Sequence, residues 1–413
     1  MKILVVTQYF WPENFRINDL ATGLRERGHE VTVFTGKPNY PDGRYFAGYG
    51  FFRRPREEFN GMPVIRVPLA PRGGGGGFRL ALNYLSFALF ACLLAPLRVR
   101  GDFDAILVYE PSPITVGLPA LILKRLKRVP VLFWVQDLWP ESLSATGALR
   151  APWIINAVKR LVRFIYRGCD LILVQSSAFI EPVMAFGIPG ERVAYFPNSA
   201  EELYRPVAVE PDAPERARLP AGFCVMFAGN VGAAQDFETI MAAAERLKSR
   251  PDIHWIIVGD GRMLPWVEAE IDRRGVHATV HLAGRHPVES MPRWFALADA
   301  MLVTLRKDPI FALTIPAKAQ SYLACARPIV AALDGEGARV IREAGAGIVV
   351  ASGNAAALAE AVLALYSMPV AERQAMGERG RRYFEQHFER GRLLGQLERW
   401  MSELAGSRTR CGS

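Results

Sequence analysis

Short apolar segments rich in β-branched residues alternate with helical segments along nearly the whole chain of 413 residues. The first strand is predicted at Lys2–Thr7, a helix follows at Asp19–Arg27, and a second strand comes at Glu30–Thr35. Continuously apolar strands joined by helices are typical of a parallel sheet that is covered on both faces. The alternation therefore predicts an α/β fold with doubly wound, Rossmann-like parallel sheets.

The alternation is interrupted once, at Glu201–Gly222, which is rich in Pro, Glu and Arg and is typical of a connection between domains. Further strands are predicted at Ala105–Tyr109, Val131–Val135, Leu171–Gln175 and Val193–Phe196 before the interruption, and at Cys224–Ala228, Ile253–Val258, Thr279–Ala283, Ala300–Leu305, Pro328–Ala332 and Gly347–Val350 after it. We predict an N-terminal domain at 1–200, a C-terminal domain at 201–385, and at 386–413 a helix that crosses back toward the first domain, with a tail. Because such sheets bind ligands beyond the carboxyl ends of their strands, we expect the domains to face each other across a cleft.

The cysteines and histidines form no metal-binding pattern. The five cysteines include no CxxC pair, and the six histidines show no ligand spacing, so a disulfide framework and a zinc site are both disfavoured. The acidic triplet Asp102-Phe-Asp104 immediately precedes a strand, which places it at the edge of the sheet away from ligands. We therefore predict a protein of the reducing cytoplasm that uses no metal.

The positive charge is concentrated in the first half of the chain. Residues 1–200 contain 24 Lys and Arg against 15 Asp and Glu, whereas the remainder contains 26 of each kind. A basic half points to an anionic partner, which is either a nucleic acid or a lipid surface.

Two segments of this basic half favour a membrane. Leu80–Leu97 is uncharged and flanked by arginines, although it is slightly shorter than the roughly 20 apolar residues that a spanning helix needs. Trp153–Arg167 places apolar residues on one helical face and cations on the other, which is typical of a helix lying in the interface. The alternative is two helices docked on the core with their arginines in solvent. We predict contact with an anionic membrane surface through 78–100 and 153–167, no nucleic acid, and a peripheral or monotopic location on the inner face of the cytoplasmic membrane.

Turns that contain glycine follow several predicted strands of the second half. Glycine lets the backbone approach a ligand closely, and a helix that starts after such a turn favours phosphate. The candidate ligand-binding residues of these turns are Gly229, Asn230, Gly232, Gln235, Gly259, Asp260, Gly261, Arg285 and Glu336. Each turn alone is a weak signal, but together they predict one rim of a nucleotide-sized site.

The segment Asp308–Val330 adds a cation to this rim. Thr314 and Pro316 predict a hydroxyl cap and a first-turn proline for a helix at Ala317–Ala326, with Lys318 in its first turn. A basic residue at the positive end of a helix is electrostatically misplaced unless an anion lies nearby. Lys318 is thus either a phosphate ligand or an ordinary exposed lysine.

Polar residues also follow the predicted strands of the first half. Asp137 and Glu141 come after one strand, Glu110 after another, and Glu13 and Arg16 after the first. Carboxylates at strand ends are candidates for catalysis or for holding sugar hydroxyls, and the alternative for Asp137 is a helix or turn cap.

Several stretches together resemble glycosyltransferase family 4, the retaining sugar transferases of the GT-B fold, over nearly the whole chain. They are QYFWPENFR, RGHEVTVFTGKPNYP, YEPSPITVG, WVQDLWPES, FAGNVGAAQ, IVGDG, AGRHPVESMP and TIPAKAQSYLACARPIV. The match is with the branch that builds bacterial O-antigen, capsule and colanic acid, which includes the N-acetyl-L-fucosamine transferases. The resemblance implies a nucleotide-sugar donor on the C-terminal domain, a lipid-diphosphate-linked sugar as acceptor on the N-terminal domain, and no cofactor.

The resemblance also assigns roles by position. Gly229, Asn230 and Gly232 would face the diphosphate, Gly259–Gly261 and Arg285 the nucleoside, and Lys318 the phosphates. Gln136 stands where many members have a histidine before the aspartate. Leu313 and Ser321 stand where members have two glutamates, so the identity of the donor sugar does not carry over.

These residues predict a retaining, metal-independent hexosyltransferase. It would move a sugar, such as N-acetyl-L-fucosamine or another N-acetylated hexosamine, from UDP to a lipid-linked acceptor. Lys318 would stabilise the leaving diphosphate and Asp137 would orient a reactant. The alternatives are a UDP-sugar epimerase of the same two-domain fold and a non-catalytic nucleotide-binding partner at the membrane.

Overall fold

The computed structural model describes residues 1–74, 77–141 and 151–411. Its internal contacts divide the chain into two units. The first unit comprises Met1–Pro197 together with Leu393–Ser413, and the second comprises Asn198–Arg392. Of the predicted C-terminal tail, residues 412 and 413 lie outside the described part.

The first unit is built on an eight-stranded sheet. Its strands are β1 (Lys2–Thr7), β2 (Glu30–Gly36), β3 (Arg56–Phe59), β4 (Met62–Val67), β5 (Ala105–Glu110), β6 (Val131–Val135), β7 (Leu171–Val174) and β8 (Val193–Tyr195). They lie in the order β3-β4-β2-β1-β5-β6-β7-β8, and all pairs are parallel except β3 with β4. The helices described with this sheet are α1 (Arg16–Glu26), α2 (Gly77–Arg98), α3 (Gly117–Lys127), α4 (Pro152–Gly168) and α5 (Ile180–Met184).

The antiparallel hairpin of β3 and β4 was not predicted from the sequence. Three of the four residues of β3 are charged, so the strand has no apolar run. The turn between the strands is Asn60-Gly61, with φ of 47° and 71°. Asn-Gly with two positive φ angles is a strong hairpin signal, and this signal could have revealed the pair.

The second unit is built on a six-stranded sheet in which every pair is parallel. Its strands are β9 (Phe223–Ala228), β10 (Ile253–Val258), β11 (Val280–Gly284), β12 (Ala300–Thr304), β13 (Ile329–Ala332) and β14 (Gly347–Val350). They lie in the order β11-β10-β9-β12-β13-β14. The chain therefore winds outward from β9 in one direction and from β12 in the other. The boundary between β9 and β12 is the switch point at which ligands bind in such sheets.

Helices connect and follow these strands. They are α6 (Phe237–Arg246), α7 (Leu264–Arg274), α8 (Met291–Leu297), α9 (Pro309–Ala312), α10 (Ala317–Ala324), α11 (Gly335–Glu343), α12 (Ala355–Ser367), α13 (Val370–His387) and α14 (Arg390–Cys411). Apolar side chains on both sides of the sheet are buried in two core clusters. The prediction of two doubly wound parallel-sheet domains is confirmed.

The last helix, α14, belongs to the first unit from Leu393 onward. Leu397 and Met401 are fully buried in the core cluster that also contains Ile3 and Val5 of β1. An ion pair between Arg27 and Glu398, at 2.8 Å, joins the helix to the loop after α1. The final helix therefore completes the core around the first strand of the chain.

Helix α2 presents an apolar row to the surface. Asn83, Phe87, Ala91 and Ala95 are fully buried and fasten one face of the helix to the unit. The large apolar side chains left exposed are Phe78, Leu82, Leu85, Leu89, Leu93 and Leu97. Among single helices of the described residues, only α2 is long and apolar enough to cross a membrane, by length and composition alone.

Candidate functional site

The loops that follow β9, β10 and β11 are bonded to one another at the carboxyl edge of the second sheet. The Gly229 amide donates to the Val258 carbonyl at 2.9 Å, and the Gly259 amide donates to the Gly284 carbonyl at 2.8 Å. Gly259 has φ of 144°, and a Cβ there would lie 1.9 Å from the Gly229 carbonyl oxygen. Only glycine permits this approach, so three loops form one continuous backbone surface.

This surface lines a cavity of about 400 Å³. Its walls are Gly229, Asn230, Val258, Gly259, Asp260, Gly261, Arg285, His286 and Met291. Six of the nine glycine-turn residues predicted from the sequence therefore line this cavity, whereas Gly232, Gln235 and Glu336 do not. A cavity of this size suits part of a nucleotide, because ligand pockets range from about 300 to 1,000 Å³.

Lys318 lies at the switch point beside this cavity. Its Nζ lies 3.7 Å from the centroid of the Phe227 ring and donates to Oε1 of Gln235 at 2.5 Å. Gly229 is also close, since a Cβ on it would lie 3.7 Å from Nζ. Among residues 1–74, 77–141 and 151–411, no carboxylate comes within ion-pair distance of Lys318, and burial lowers the pKa of its amine to about 7. A bound anion would thus stabilise the charged form of this desolvated amine.

The start of helix α10 differs from the prediction in its cap and in the place of Pro316. The helix runs from Ala317 to Ala324, and no side chain caps it. The predicted hydroxyl cap is wrong, because Oγ1 of Thr314 donates to the Phe311 carbonyl at 3.1 Å. Pro316 is the residue that precedes the first helical turn. Lacking a side-chain cap, the first-turn amides beside Lys318 retain their capacity to bind an anion.

Two other predicted donor ligands are engaged within their own helices. Ser321 is buried, and its hydroxyl donates to the Ala317 carbonyl at 3.3 Å. Glu336 is buried at the start of α11, where Arg339 donates to its oxygens at 2.5 and 3.0 Å. Binding of a ligand to Glu336 would have to displace or share the guanidinium of Arg339.

A second group of polar residues lies at the carboxyl ends of β5 and β6 in the first unit. Glu110 is fully buried, and within the described residues neither carboxyl oxygen has a partner with hydrogen-bond geometry. Burial and the nearby Asp137 charge raise the pKa of Glu110 well above its ordinary value. Burial also raises the pKa of Asp137 to about 6, while a hydrogen bond from Ser112 opposes this shift. Burial thus shifts both carboxyl groups of the pair toward their protonated forms.

Sequence reasoning missed two side chains of this group, namely Tyr84 and Arg72, whereas the sequence already placed Ser112 after the same strand as Glu110. The Ser112 oxygen accepts from Nε1 of Trp139 at 3.1 Å, and the Tyr84 hydroxyl hydrogen-bonds with Tyr9 and Ser112. Arg72 donates to the Tyr9 hydroxyl at 3.3 Å. For Tyr84, the available signal was the set of polar residues at 83, 84 and 86, which interrupts the apolar run of α2.

Glu13 and Arg16, predicted on the acceptor side, take part in local structure. One oxygen of the buried Glu13 carboxylate accepts from the Asn39 and Tyr40 amides, each at 2.8 Å. Burial raises the pKa of Glu13 to about 7. Arg16 lies beside Tyr109 of β5. The Glu13 carboxylate thus joins the loops that follow β1 and β2.

The remaining predicted residues are more dispersed. The backbone carbonyl of the buried Gln136 accepts from Nε2 of Gln175 at 2.6 Å. Glu141 is exposed and is the last described residue before 142–150. Asp104 accepts from the Lys2 amide at 2.6 Å, at the amino end of the sheet. Within the described ranges, no three His, Cys, Asp or Glu side chains form a group that could hold a metal ion.

The sequence matches two family models that together span most of the chain. Residues 14–199 match the Glycosyl transferase 4-like domain, and residues 222–368 match Glycosyl transferases group 1. WcaI of Escherichia coli (strain K12), whose name assigns it to colanic acid biosynthesis as a glycosyl transferase, is 25% identical over 78% of this chain and 81% of its own length. WbjE of Pseudomonas aeruginosa, also named as a glycosyltransferase, is 27% identical over 63% of this chain and 64% of its own length.

Solved structures share the architecture. HepE of Anabaena, solved in complex with UDP, superposes with a TM-score of 0.69 at 14% identity, over 98% of this chain and 100% of that chain. The two family models thus cover both sheets of this chain and the loops beside Lys318. The protein belongs to glycosyltransferase family 4 and has the GT-B fold of that family.

Proposed function

We propose that this glycosyltransferase moves an N-acetylated hexosamine, such as N-acetyl-L-fucosamine, from a UDP-sugar to a lipid-linked acceptor in bacterial surface polysaccharide synthesis, as in O-antigen or capsule. The observation that carries the donor assignment is Lys318, a basic side chain beside the Gly229 and Gly259 loops that has no counter-ion in the described ranges of the chain. HepE has been solved with UDP and with UDP-glucose, and WcaI is named for colanic acid biosynthesis; both support this class of reaction.

In this proposal the site stabilises the negative charge of the leaving diphosphate. As the bond from the sugar to the diphosphate breaks, negative charge grows on the phosphate oxygens. The Lys318 ammonium, the uncapped start of α10 and the Gly229 loop would then bind that charge more strongly than in the ground state. These groups would replace a metal ion in neutralising the diphosphate. We propose retention at the anomeric carbon, with the leaving phosphate accepting the proton of the acceptor hydroxyl.

The acceptor is assigned to the group around Asp137 in the first unit. Asp137 is ionised above its raised pKa of about 6 and can accept a hydrogen bond from a sugar hydroxyl. Arg72 lies over the Tyr9 and Tyr40 rings, where its guanidinium can meet a phosphate group. This set of groups suits a sugar linked to a lipid diphosphate.

A panel of nucleotide sugars tests this function. We expect release of UDP from one UDP-sugar only when a bacterial lipid extract is present, and the same rate in EDTA. Lipid-independent conversion of the UDP-sugar without UDP release would instead identify an epimerase. Binding of UDP without turnover of any donor would identify a non-catalytic partner.

We also propose that the protein is peripheral or monotopic on the inner face of the cytoplasmic membrane. The apolar row of α2, defined above as Phe78 to Leu97, is exposed next to Arg79 and Arg98. On α4, Trp153 is 73% and Phe164 54% exposed, among exposed cations that include Lys159, Arg160 and Arg163. Apolar insertion and attraction to anionic lipids would act together, at about 1 kcal/mol for each cation near the surface.

Glutamine at both Leu85 and Leu89 should weaken binding to vesicles of phosphatidylglycerol and phosphatidylcholine by at least about tenfold, because each leucine loses its buried apolar area. Cosedimentation measures the partition. Glutamine at Met184 and Val288, which are also exposed apolar residues, is the matched control and should leave binding unchanged. Equal binding of the two double variants to the vesicles would show that α2 does not contact the membrane.

A further inference from the structure

A larger cavity lies within the second unit, at the opposite edge of the sheet from Lys318. It has a volume of about 630 Å³, and three arginines line it, namely Arg216, Arg327 and Arg373. Asp299 and Pro328, also in its wall, immediately precede β12 and β13 and so mark the amino ends of these strands. Because β12 has five residues, the cavity lies about 16 Å from the carboxyl edge. It is thus a different place from the proposed donor site.

One guanidinium nitrogen of Arg327, in the wall of this cavity, has no hydrogen-bond partner within the described part of the chain. This nitrogen, Nε, is buried. The backbone amide of Arg327 donates to the Tyr322 carbonyl at 3.2 Å, which fixes the main chain but not the guanidinium. Burial lowers the pKa of Arg327, the charge of Asp299 opposes this shift, and the charge of Arg373 adds a smaller lowering. A desolvated guanidinium normally has a carboxylate or phosphate against it.

The other two arginines differ from Arg327. Arg373 donates to the carbonyls of Leu365 and Met368 and forms an ion pair with Asp299 at 3.4 Å, so its donors support the fold. Arg216 is exposed at the rim, with one long contact of 3.4 Å to the Val209 carbonyl. Arg327 and Arg216 are thus the two arginines of the wall that form no ion pair among the described residues.

The wall beside Arg327 is tightly built. Gly377 of α13 packs on the chain so closely that a Cβ there would lie 2.1 Å from the Ala326 carbonyl oxygen. Ala326 itself has φ of 54°, a left-handed conformation that turns the chain toward Arg327. Such close packing fixes the main chain that carries Arg327 at the cavity wall.

We propose that this cavity binds a small hydroxylated phosphate ester, with its phosphate on Arg327 and Arg216 and its hydroxyl groups on Gln374 and Glu378. A guanidinium fork fits the oxygens of phosphate, and the acidic residues of the wall disfavour bare polyanions while accepting hydroxyl donors. The volume fits a compound of the size of a sugar phosphate. This ligand would be additional to the donor and the acceptor, and the site does not depend on the function proposed above.

Calorimetric titration of the whole protein with ribose 5-phosphate tests the site. Arg327→Gln should weaken ribose 5-phosphate binding at least tenfold and leave UDP binding unchanged, whereas Lys318→Met should do the reverse. In phosphate-free buffer the thermal midpoint of Arg327→Gln should equal or exceed that of the wild type, because an unpaired cation has been removed. If Arg327→Gln fails to fold, Arg216→Gln takes its place and should weaken binding about threefold.

Three results would overturn the proposal. One is that ribose 5-phosphate does not bind at millimolar concentration. Another is that Lys318→Met weakens its binding and the Arg327 and Arg216 variants do not, which would place the phosphate at the donor site. The third is equal binding of gluconate, which would show that the cavity selects hydroxylated anions without regard to phosphate.

Discussion

Methionine at Lys318 should lower turnover by about 10²-fold or more while the protein stays folded. Methionine keeps the apolar stem over the Phe227 ring and removes the charge that lies beside Gln235 and the Gly229 loop. If that charge acts on the diphosphate as it leaves, its loss affects the transition state more than substrate binding, and removal of one such donor typically costs about 10²- to 10³-fold. The measurement is kcat and KM for UDP release at saturating acceptor.

The pH dependence of stability gives an independent check on Lys318. Burial lowers its pKa to about 7 in the folded protein, below the ordinary 10.5, so between these values the unfolded chain binds more protons. This group therefore makes the wild type more stable as pH rises through that range, and the methionine variant should lack this contribution. Urea unfolding at about pH 7 and about pH 9 measures the difference. Lys248→Met, at an exposed lysine of the same unit, is the control and should keep the pH dependence of the wild type. The same pH dependence in Lys318→Met would contradict the role of Lys318.

Asparagine at Asp137 is expected to reduce turnover by about 10²-fold or more, with little change in the affinity for UDP. The exchange keeps the shape of the side chain and its contact with Ser112 but removes the negative charge. Because the pKa of Asp137 is raised to about 6, wild-type activity should increase with pH through that value as the carboxylate forms. The asparagine variant should show no such limb in a profile of kcat against pH.

Two further variants sharpen the interpretation of Asp137. Asp42→Asn alters an exposed aspartate of the same unit and should leave kcat unchanged. Ser112→Ala removes the hydrogen bond that lowers the pKa of Asp137, so the acidic limb should move to higher pH. Near-normal turnover of Asp137→Asn, or an unmoved limb in Ser112→Ala, would exclude Asp137 from the reaction.

The strands and glycine loops could be predicted because their signals are local. The predicted limits of β1 and β10 agree with the structure, since both strands are mainly apolar. The loop at Gly229 and the position of Lys318 follow from the residues next to them along the chain. The charged strand β3 was missed because apolar content was the criterion, although its Asn60-Gly61 turn was visible.

The group around Asp137 could be predicted only in part. Asp137 and Glu110 were found from their places at strand ends. Tyr84 and Arg72 come from a helix and a loop, and their contacts with Tyr9 and Ser112 form only in the folded protein. Glu13 shows the opposite problem. It was predicted from its position as a residue on the sugar side. In the structure its carboxylate accepts hydrogen bonds from two backbone amides, and a role in sugar binding stays a prediction.

Because α14 supplies part of the core around β1, the first unit is not a continuous piece of sequence. A ribosome completes residues 1–197 and then the whole second unit before Leu397 and Met401 exist to cover the apolar side chains of Ile3 and Val5. The N-terminal unit therefore reaches its final core last, although its strands are made first. A fragment that stops at Pro197 would leave this core incomplete, so the smallest expressible form of the first unit must carry the C-terminal helix.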